Sequence, residues 1–406
     1  MPVGDDDLVS ILRAGIGPDV TGPLGLAVSG GGDSMALLHL AHRGGWPVAA
    51  VTVNHGLRPE AADEAAMVAR FCAGIGVDHA ILRWSGPAPT GNLMDQARRA
   101  RITLIADWAK AQGIGHVALG HTADDQAETL LMGLARKAGL DGLTGMRRTW
   151  RQDGVDWHRP LLPVGRTTLR DYLRRHDVPW VEDPTNDDDQ YTRIKARRAL
   201  KALAPLGITA TGLAAIAEHL DFARSALNWS VDREARRIVS EQAGTLTLDR
   251  DEWRALPFEL QRRILLAALQ WMSGAAYPPR ETGLDRVQLA ILRTGKATLS
   301  GCQIVAGQTT IRILREPRAA TDAVPVGTLW DHRWMVDGPP GEVRALGPTG
   351  LPQVKDWRAL GITREALQVT PAVWDGDALL SAPVAGMENG WKARIVAPFH
   401  RFAVSH

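Results

Sequence analysis

Six consecutive residues near the start of the sequence carry the groups from which a phosphate site is built. They are Ser29, Gly30, Gly31, Gly32, Asp33 and Ser34, and they lie between an apolar run and a stretch with helical spacing. Free backbone N–H groups and the positive end of a helix dipole then meet at one point, where an anion binds. The glycines allow a phosphate to approach closely, and the serines add hydroxyl donors. Asp33 places an acid beside this anion site, which predicts a bound Mg²⁺.

The spacing within this glycine loop (residues 29–34) excludes two common nucleotide motifs. The Walker P-loop requires Lys followed by Ser or Thr after its last glycine, and the dinucleotide motif requires G-x-G-x-x-G. The order S-G-G-G-D-S resembles instead the pyrophosphate loop of the N-type ATP pyrophosphatases, which cleave ATP between its α and β phosphates. The resemblance implies transfer of AMP. A glycine turn that binds no ligand is the structural alternative.

A second polar cluster begins where a later apolar run ends. His121, Asp125 and Glu128 are separated by four and then three residues, which predicts that the three side chains share one helical face. Two acids and a histidine beside an ATP site can bind a cation, orient an amine or move a proton. Acids in the first turn of a helix are also ordinary capping residues. Their combination with the glycine loop favours a role in function.

Three further polar residues have both a functional and a structural interpretation. His55 follows a predicted strand, a position that favours the site, although a structural histidine is the ordinary alternative. Arg98 and Arg101 lie on a polar stretch that fits a solvent-facing helix edge as well as a phosphate site. The residues alone leave both interpretations open.

Tryptophan is unusually frequent among the aromatic residues of this chain. There are 14 Trp against 3 Tyr and 5 Phe, and an indole ring can stack on an unpaired base. Most of these rings are expected in the core. Trp150, Trp157 and Trp180 flank basic positions and are the candidates for base stacking.

The elements that position these residues follow from hydrophobic periodicity. Over the first two hundred residues, short apolar runs alternate with longer amphipathic ones, which predicts an α/β fold with a doubly wound parallel sheet. The glycine loop, the residues after Val53 and the segment from Gly120 fall at the carboxyl ends of strands, where such sheets bind ligands. The predicted strands are 24–28, 47–54, 77–83 and 116–119, and the predicted helices are 33–42, 60–73, 92–112 and 122–136.

The alternation stops after residue 204, which predicts a change of domain. Residues 209–272 are rich in Ala, Leu and Arg and are predicted to be helical, whereas residues 297–315 predict a β-hairpin. Short apolar runs separated by Pro and Gly follow. We therefore expect a catalytic domain at 1–204, a helical middle domain with a hairpin at 205–315 and a small α+β domain at 316–406.

Composition limits the class of protein. The chain has 406 residues, is 45% hydrophobic and carries 47 basic against 45 acidic residues, which predicts a soluble globular protein without a membrane span. Its acidic start lacks the basic and apolar parts of a signal peptide, so a cytoplasmic location is expected. Cys72 and Cys302 lie far apart, which argues against a disulfide framework and a thiolate metal site. The oligomeric state stays open, with a homodimer among the alternatives.

Several segments of the sequence resemble, in their residues and in their order along the chain, those of the tRNA(Ile)-lysidine synthetase family. The likeness is strong over about 24–200 and fair over 330–400, and it implies that the C-terminal domain binds tRNA. The segments are the glycine loop, Val53-Asn54-His55-Gly56-Leu57-Arg58, Ala97-Arg98-x-x-Arg101, the H-x-x-x-D-x-x-E-T stretch from His121, Arg159-Pro160-Leu161-Leu162, Glu182-Asp183-Pro184-Thr185-Asn186 and Thr370-Pro371-Ala372-Val373-Trp374-Asp375-Gly376.

The resemblance implies a reaction in two steps. ATP adenylates the 2-carbonyl oxygen of the wobble cytidine in the CAU anticodon of tRNA(Ile), because that carbonyl is a poor electrophile by itself. The ε-amine of free L-lysine then attacks the same carbon, and AMP leaves. The product, lysidine, pairs with A instead of G. The implied partners are therefore this tRNA and L-lysine, and the implied cofactors are ATP and Mg²⁺.

The same resemblance divides the residues between the two substrates. It assigns Asp33 to Mg²⁺, Asp125 and Glu128 to L-lysine, and Arg98 or Arg101 to charge that builds on phosphate. The implied ATP-binding residues are Ser29, Gly30, Gly31, Gly32, Asp33, Ser34, Val53 and His55. The implied catalytic residues are Asp33, Arg98, Arg101, His121, Asp125 and Glu128.

Two segments depart from the family pattern. Arg193-Ile194 stands where the family usually has Arg-Asn, and Arg136-Lys137-Ala138-Gly139 stands where it often has Arg-Gly-x-Gly. The missing asparagine amide could contact a substrate, so Ile194 is assigned no role. Arg193 and Arg197, on a predicted basic helix, are assigned to tRNA binding.

Two other functions are compatible with the glycine loop. A tRNA thiolase attacks the adenylated base with sulfur, which needs cysteines or an iron–sulfur cluster, and the two cysteines here have no ligand spacing. An RNA-binding protein with a decayed ATP site is the other alternative. Retention of Ser29, Asp33 and Ser34 together argues against decay.

Overall fold

A six-stranded sheet organises residues 1–224, one of the two compact units of the chain. The computed structural model describes residues 3–18, 20–54, 56, 61–84, 93–182, 192–275, 277–293 and 295–405. The strands of the sheet are β1 (Leu24–Ala27), β2 (Val48–Asn54), β3 (Asp78–Arg83), β4 (His116–Leu119), β5 (Thr149–Gln152) and β6 (Val155–His158). The helices are α1 (Asp5–Ile16), α2 (Gly32–Arg43), α3 (Ala61–Gly74), α4 (Leu93–Ala111), α5 (Ala123–Ala135), α6 (Leu140–Leu143), α7 (Arg166–Arg175), α8 (Thr192–Leu203) and α9 (Ala210–Ile238), which continues into the second unit.

The strand order is β3-β2-β1-β4-β6-β5, so the chain reverses its direction of travel across the sheet between β1 and β4. All neighbouring strands are parallel except β5 and β6. The predicted doubly wound sheet is therefore confirmed, and each predicted strand and helix between residues 24 and 136 is confirmed to within one residue. The β5–β6 hairpin was not predicted. Ala27 pairs with Leu119, which places the segments that follow β1 and β4 side by side.

The sheet separates two apolar cores. On one face, Leu26 packs with residues of α1, α2 and α7 such as Leu37 and Leu173. On the other face, Val117 packs with residues of α4 such as Ile105. Because both faces are covered by helices, the strands are apolar on both sides, as expected for a parallel sheet.

Helix α7 is fixed at its C-terminal end by α1 and α2. Tyr172 Oη and His39 Nδ1 lie 2.7 Å apart. Asp5 accepts a hydrogen bond from Arg175 Nη2 at 2.8 Å and lies 2.6 Å from His176 Nε2. Burial lowers the pKa of His39 to about 4, so this ring is neutral near pH 7. The contacts hold the helix whose first turns face the glycine loop.

Residues 225–406 form the second unit, in which antiparallel strands dominate. Its sheets have the orders β7-β8-β11-β10-β9, β12-β14-β15-β16 and β13-β17. The strands are β7 (Val239–Gln242), β8 (Thr245–Asp249), β9 (Lys296–Leu299), β10 (Cys302–Ala306), β11 (Thr310–Arg315), β12 (Val324–Pro325), β13 (Trp334–Asp337), β14 (Glu342–Ala345), β15 (Pro371–Asp375), β16 (Ala378–Ser381) and β17 (Lys392–Ile395). The helices are α10 (Arg250–Ala255), α11 (Phe258–Ser273), α12 (Glu281–Leu292), α13 (Gly347–Gly350), α14 (Arg364–Gln368) and α15 (Phe399–Ser405).

The helical prediction for residues 209–272 is wrong over 239–249. Strands β7 and β8 form a hairpin there, with Gln242 paired to Thr245 across a two-residue turn. Ala243 and Gly244 both have positive φ, at 50° and 70°, the geometry that tight hairpins use. The alternating residues Leu246 and Leu248 are fully buried, and this period of two outweighs the helical propensity of the region. The predicted hairpin at 297–315 is confirmed by β10 and β11, which β9 extends. The division into three domains at 204 and 315 stays a prediction.

No single helix in the described part of the chain is long and apolar enough to cross a bilayer. One pair of helices, Thr192–Leu206 with Ala210–Ile238, has that length and composition only when taken together, and it is bent by 101°.

The buried neutral state of His39 predicts a pH dependence of stability. The folded pKa of His39 is about 4, below the ordinary histidine value of 6.5, so between these pH values the unfolded chain takes up a proton that the folded chain excludes. We expect the free energy of unfolding to fall as the pH drops from 6.5 towards 4, and to fall less in His39→Gln. Urea titrations at pH values on either side of this window measure the difference. His219→Gln, which changes an exposed histidine of α9, should follow the wild type. Equal losses in His39→Gln and wild type would contradict this role of His39.

Candidate active site

The glycine loop has a defined shape between β1 and α2. Ser34 Oγ accepts a hydrogen bond from Ser29 N at 3.1 Å and donates one to Gly31 O at 2.8 Å. Gly30 has a φ of +89°, in the left-handed region that glycine adopts without strain. Since α2 begins at Gly32, the loop precedes the positive end of a helix dipole. This geometry suits a phosphate group.

The end of β4 touches the first turn of α2. A Cβ atom at Gly120 would lie 2.9 Å from Asp33 O and from the backbone N and Cα of Ser34, closer than real Cβ atoms come. Only glycine therefore allows this approach. As a result, the segment from His121 to Glu128 lies beside the glycine loop.

Two arginines of α7 hold the carboxylate of Asp33. Arg166 Nε donates to Oδ2 at 3.0 Å, and Arg170 Nη1 donates to Oδ1 at 3.1 Å. Only 17% of the Asp33 side chain is exposed. Burial raises the pKa of Asp33, and the positive charge of Arg166 opposes that rise. Gly32 leaves room for the arrangement, because a Cβ there would overlap Arg170 Nη1.

Asp125 combines a helix cap with an ion pair. Its Oδ2 accepts hydrogen bonds from Thr122 N at 2.9 Å and from Thr122 Oγ1 at 3.0 Å, and its Oδ1 lies 3.4 Å from Arg166 Nη2. Burial disfavours the charged form, but the charge of Arg166 and the hydrogen bond from Thr122 N outweigh it, so the pKa of Asp125 is lowered. Asp125 is therefore a carboxylate near pH 7.

Glu128 is the fully buried acid of the site. Its Oε1 accepts a hydrogen bond from Arg197 Nε at 2.6 Å and lies 3.6 Å from Arg166 Nη1. Its Oε2 has no hydrogen-bond partner among the described residues. Burial raises the pKa of Glu128, opposed chiefly by Arg197. Of Asp125 and Glu128, Glu128 is thus the more basic.

The prediction that His121 shares one helical face with Asp125 and Glu128 is wrong, because His121 lies before the start of α5. Helix α5 begins at Ala123, because Thr122 has extended backbone angles and acts as the N-cap. His121 Nδ1 accepts a hydrogen bond from Arg159 Nε at 3.2 Å, which assigns the neutral ring's proton to Nε2. His121 is also one of the residues that line the cavity described below.

One cavity of about 1020 Å³ joins the glycine loop to these acids. This volume is at the upper end of the usual range for ligand pockets, enough for a nucleotide with a second small molecule. Among the described residues that line it are eight arginines and lysines and six carboxylates, so cationic side chains are in excess. The cavity is lined by these predicted site residues: Ser29, Gly31, Gly32, Asp33, Ser34, Val53, Arg101, His121, Asp125, Glu128, Arg193 and Arg197.

Some predicted residues are placed differently or not at all. His55 and the side chain of Arg98 lie outside the described residues. Gly30 belongs to the loop, and its carbonyl accepts a hydrogen bond from Val181 N. Arg197 contacts Glu128, and the charge of Arg193 helps to lower the pKa of Asp125. The proposed contact of Arg193 and Arg197 with tRNA stays a prediction.

Sequence reasoning missed Arg166 and Arg170, and it used Arg159 only as part of a motif. Arg166 and Arg170 are separated by one helical turn, and each lies more than 130 residues from Asp33 in the chain. The available signal was a basic helix next to a recognised motif. Such a helix is usually a solvated face, and only the tertiary structure shows which side is buried.

The tryptophans considered for base stacking have different surroundings. Trp157 is fully buried, and Trp150 stacks on it. The guanidinium carbon of Arg159 lies 4.0 Å from the centroid of the Trp150 ring. Trp180 donates to Glu182 at 3.2 Å, beside the cavity. Trp157 is therefore a core residue and cannot stack on a base.

The two cysteines are unsuited to sulfur chemistry. Cys72 and Cys302 are both fully buried. Burial raises the pKa of Cys72 to about 11 and that of Cys302 to about 12, so both are thiols near pH 7. Neither is among the residues that line the cavity.

The donor set for a metal ion is sparse. No group of three His, Cys, Asp or Glu side chains in the described part of the chain is arranged to hold a metal. Asp33 and Asp125 nevertheless converge on one cation, the guanidinium of Arg166. Mg²⁺ often uses one or two carboxylates and takes its other ligands from substrate phosphates and water. The residues therefore fit an ion that arrives with phosphates.

A family model described as a PP-loop domain matches residues 11–203. This match covers the six-stranded sheet and the glycine loop. It agrees with the predicted α/β fold of the first two hundred residues.

Curated proteins similar to this chain extend the match over its whole length. A tRNA(Ile)-lysidine synthase of Ruegeria pomeroyi is 46% identical over 417 aligned positions, which cover 100% of both chains. Proteins of the same name from Zymomonas mobilis and a Bradyrhizobium species are 38% and 37% identical. Each aligns with 73% of this chain, and 90% and 91% of the relatives' own lengths are covered. With identity of this extent and a cavity that joins a phosphate loop to buried acids, the chain belongs to the tRNA(Ile)-lysidine synthase family.

Proposed function

We propose that this enzyme is a ligase that joins L-lysine to C2 of the wobble cytidine in the CAU anticodon of tRNA(Ile), at the expense of ATP. The observation that carries the proposal is the shared cavity. It combines an anion-binding loop, suited to the phosphates of ATP, with a buried carboxylate whose Oε2 lacks a partner among the described residues. An amine and a nucleotide are the two small molecules that such a cavity takes.

In the first step, the cytidine 2-carbonyl oxygen attacks the α-phosphorus of ATP, and pyrophosphate leaves. The glycine loop would hold the β and γ phosphates through backbone N–H groups and the hydroxyls of Ser29 and Ser34. Arg166, Arg170 and Arg101 supply positive charge around the same space. A Mg²⁺ ion held by Asp33 would neutralise phosphate charge.

In the second step, the lysine ε-amine attacks C2 of the adenylated cytidine, the C2–O bond breaks and AMP leaves. Asp125 and Glu128 would hold the cationic amine and take up its proton. Glu128 is the better proton acceptor, because burial raises its pKa whereas that of Asp125 is lowered. His121 would donate a hydrogen bond from Nε2.

The reaction implies further properties of the protein. Its macromolecular partner would be tRNA(Ile), which Arg193, Arg197 and the C-terminal α+β region would contact. The side chains of Arg98 and His55 would complete the nucleotide half of the site. A cytoplasmic location and a homodimer are both compatible with the same chemistry.

Release of pyrophosphate tests the proposed reaction. With tRNA(Ile) carrying a CAU anticodon, sustained release from ATP should require L-lysine and stop at about one equivalent per tRNA without it. Norleucine is the matched control, because it has the lysine carbon chain and lacks the ε-amine. Sustained release with norleucine at the lysine rate, or no release with any tRNA, would sink the proposal.

Replacement of Asp33 separates catalysis from RNA binding. Asp33→Ala should abolish turnover, because it removes the proposed Mg²⁺ ligand and the partner of Arg166 and Arg170. Affinity for tRNA should stay within about twofold of wild type, because nucleic-acid affinity comes mainly from basic side chains that neutralise phosphates, and Asp33 is an acid. Filter binding and pyrophosphate assays on one preparation measure both. A parallel loss of turnover and tRNA affinity argues against separate metal and RNA sites. Glu218→Gln, at an exposed carboxylate paired with Arg148, should leave both unchanged.

A further inference from the structure

The guanidinium group of Arg166 contacts acids in two parts of the cavity. We call the part around the glycine loop and Asp33 the nucleotide half, and the part around Asp125 and Glu128 the amine half. Arg166 Nε lies 3.0 Å from Asp33, its Nη2 lies 3.4 Å from Asp125 and its Nη1 lies 3.6 Å from Glu128. The backbone N of Arg166 donates to Asp124 Oδ2 at 2.7 Å, which fixes the start of α7. The backbone is thus anchored, and the side chain spans the nucleotide half and the amine half.

The contacts that Arg166 makes in the nucleotide half are shorter than those in the amine half. The contact with Asp33 is a hydrogen bond of ordinary length, whereas those with Asp125 and Glu128 are longer by about 0.5 Å. Glu128 Oε2 stays without a partner among the described residues although the side chain is fully buried. A buried carboxylate oxygen in that state is unfavourable, and an ammonium group, with three N–H donors, would satisfy it.

The buried acids of this network are equal in number to the guanidinium groups that pair with them. Asp33, Asp125 and Glu128 face three guanidinium groups, those of Arg166, Arg170 and Arg197. Arg170 also pairs with Glu182, whose side chain is 72% exposed. An ammonium that enters the amine half would leave an uncompensated positive charge in a mostly buried site, which is costly. Entry of the amine therefore requires a cation to leave or an anion to arrive. Arg166 is the cation whose contacts reach both halves.

We propose that Arg166 is a positioning residue that occupies the amine half as a surrogate cation until ATP draws it towards the phosphates. This inference rests on the proposed function, since it takes L-lysine as the amine. The triphosphate at the glycine loop offers Arg166 and Arg170 stronger anionic partners than Asp33. Asp125 and Glu128 are then left for the lysine ammonium. ATP and lysine therefore bind with positive coupling, and each raises the affinity for the other by the same factor.

Calorimetric titration of the full-length protein tests this coupling. The probe is L-lysine, titrated with and without saturating α,β-methylene-ATP and Mg²⁺, because this analogue cannot be cleaved between the α and β phosphates. In the wild type, the analogue should tighten lysine binding about tenfold or more, within the usual range of coupling between sites. The reverse titration should give the same factor.

Substitutions of Arg166 distinguish a surrogate cation from a structural residue. Arg166→Gln should bind lysine without nucleotide nearly as tightly as the wild type binds it with the analogue, so the coupling factor should fall to about one. Arg166→Lys, which keeps the charge, should restore part of the coupling. Arg175→Gln is the matched control, because it removes an arginine of the same helix that pairs with Asp5 outside the cavity. It should couple as the wild type does. Thermal melting and analogue binding show that each variant is folded.

Three results would overturn the inference. They are a coupling factor of one in the wild type, full coupling in Arg166→Gln, and weaker lysine binding by Arg166→Gln under both conditions. Glu128→Gln separates these results from a failure of the proposed function. If lysine binds and Glu128→Gln weakens it, the amine site stands and only the coupling is at fault. If lysine binds equally well to Glu128→Gln, the assignment of the amine site fails, and the inference fails with it.

Discussion

The buried ion pairs of Arg166 determine how this site is assembled. A carboxylate that leaves water requires a counter-charge, and Asp33, Asp125 and Glu128 all obtain part of theirs from this one guanidinium. The requirement ties the start of α7 to the first turns of α2 and α5. Those turns meet because β1 and β4 are neighbours and Gly120 lets their following segments touch. The charged cavity thus lies at the point where the strand order reverses, between β1 and β4.

The far end of α7 shows how the fold supports this arrangement. Tyr172, Arg175 and His176 bind His39 of α2 and Asp5 of α1. The helix is therefore held at both ends. A backbone fixed in this way positions Arg166 and Arg170 against the acids of the cavity. Asp125 and Glu128 therefore depend on the same helix as Asp33.

The parts of the fold that could be predicted are those with local signals. Glycines after β1 and the alternation of apolar runs determine the elements up to residue 136. The glycine loop and the acids of α5 could also be found, because each belongs to a contiguous motif. Arg166 and Arg170 could not, because their pairing with Asp33 joins distant parts of the chain and their helix looks solvent-exposed in sequence. The β7–β8 hairpin was hidden by its helical surroundings, although its Ala-Gly turn and buried leucines were a local signal.

The central claim is that ATP activates the RNA base and not the amino acid. Transfer of label from [α-³²P]ATP tests it most directly. With tRNA(Ile) and no lysine, the label should appear on the tRNA, and added L-lysine should discharge it as AMP. This outcome follows from the proposed reaction, in which the poorly electrophilic cytidine carbonyl is adenylated before the amine attacks C2, and Asp125 and Glu128 would bind the amine and take up its proton. Label on lysine in the absence of tRNA would contradict the account.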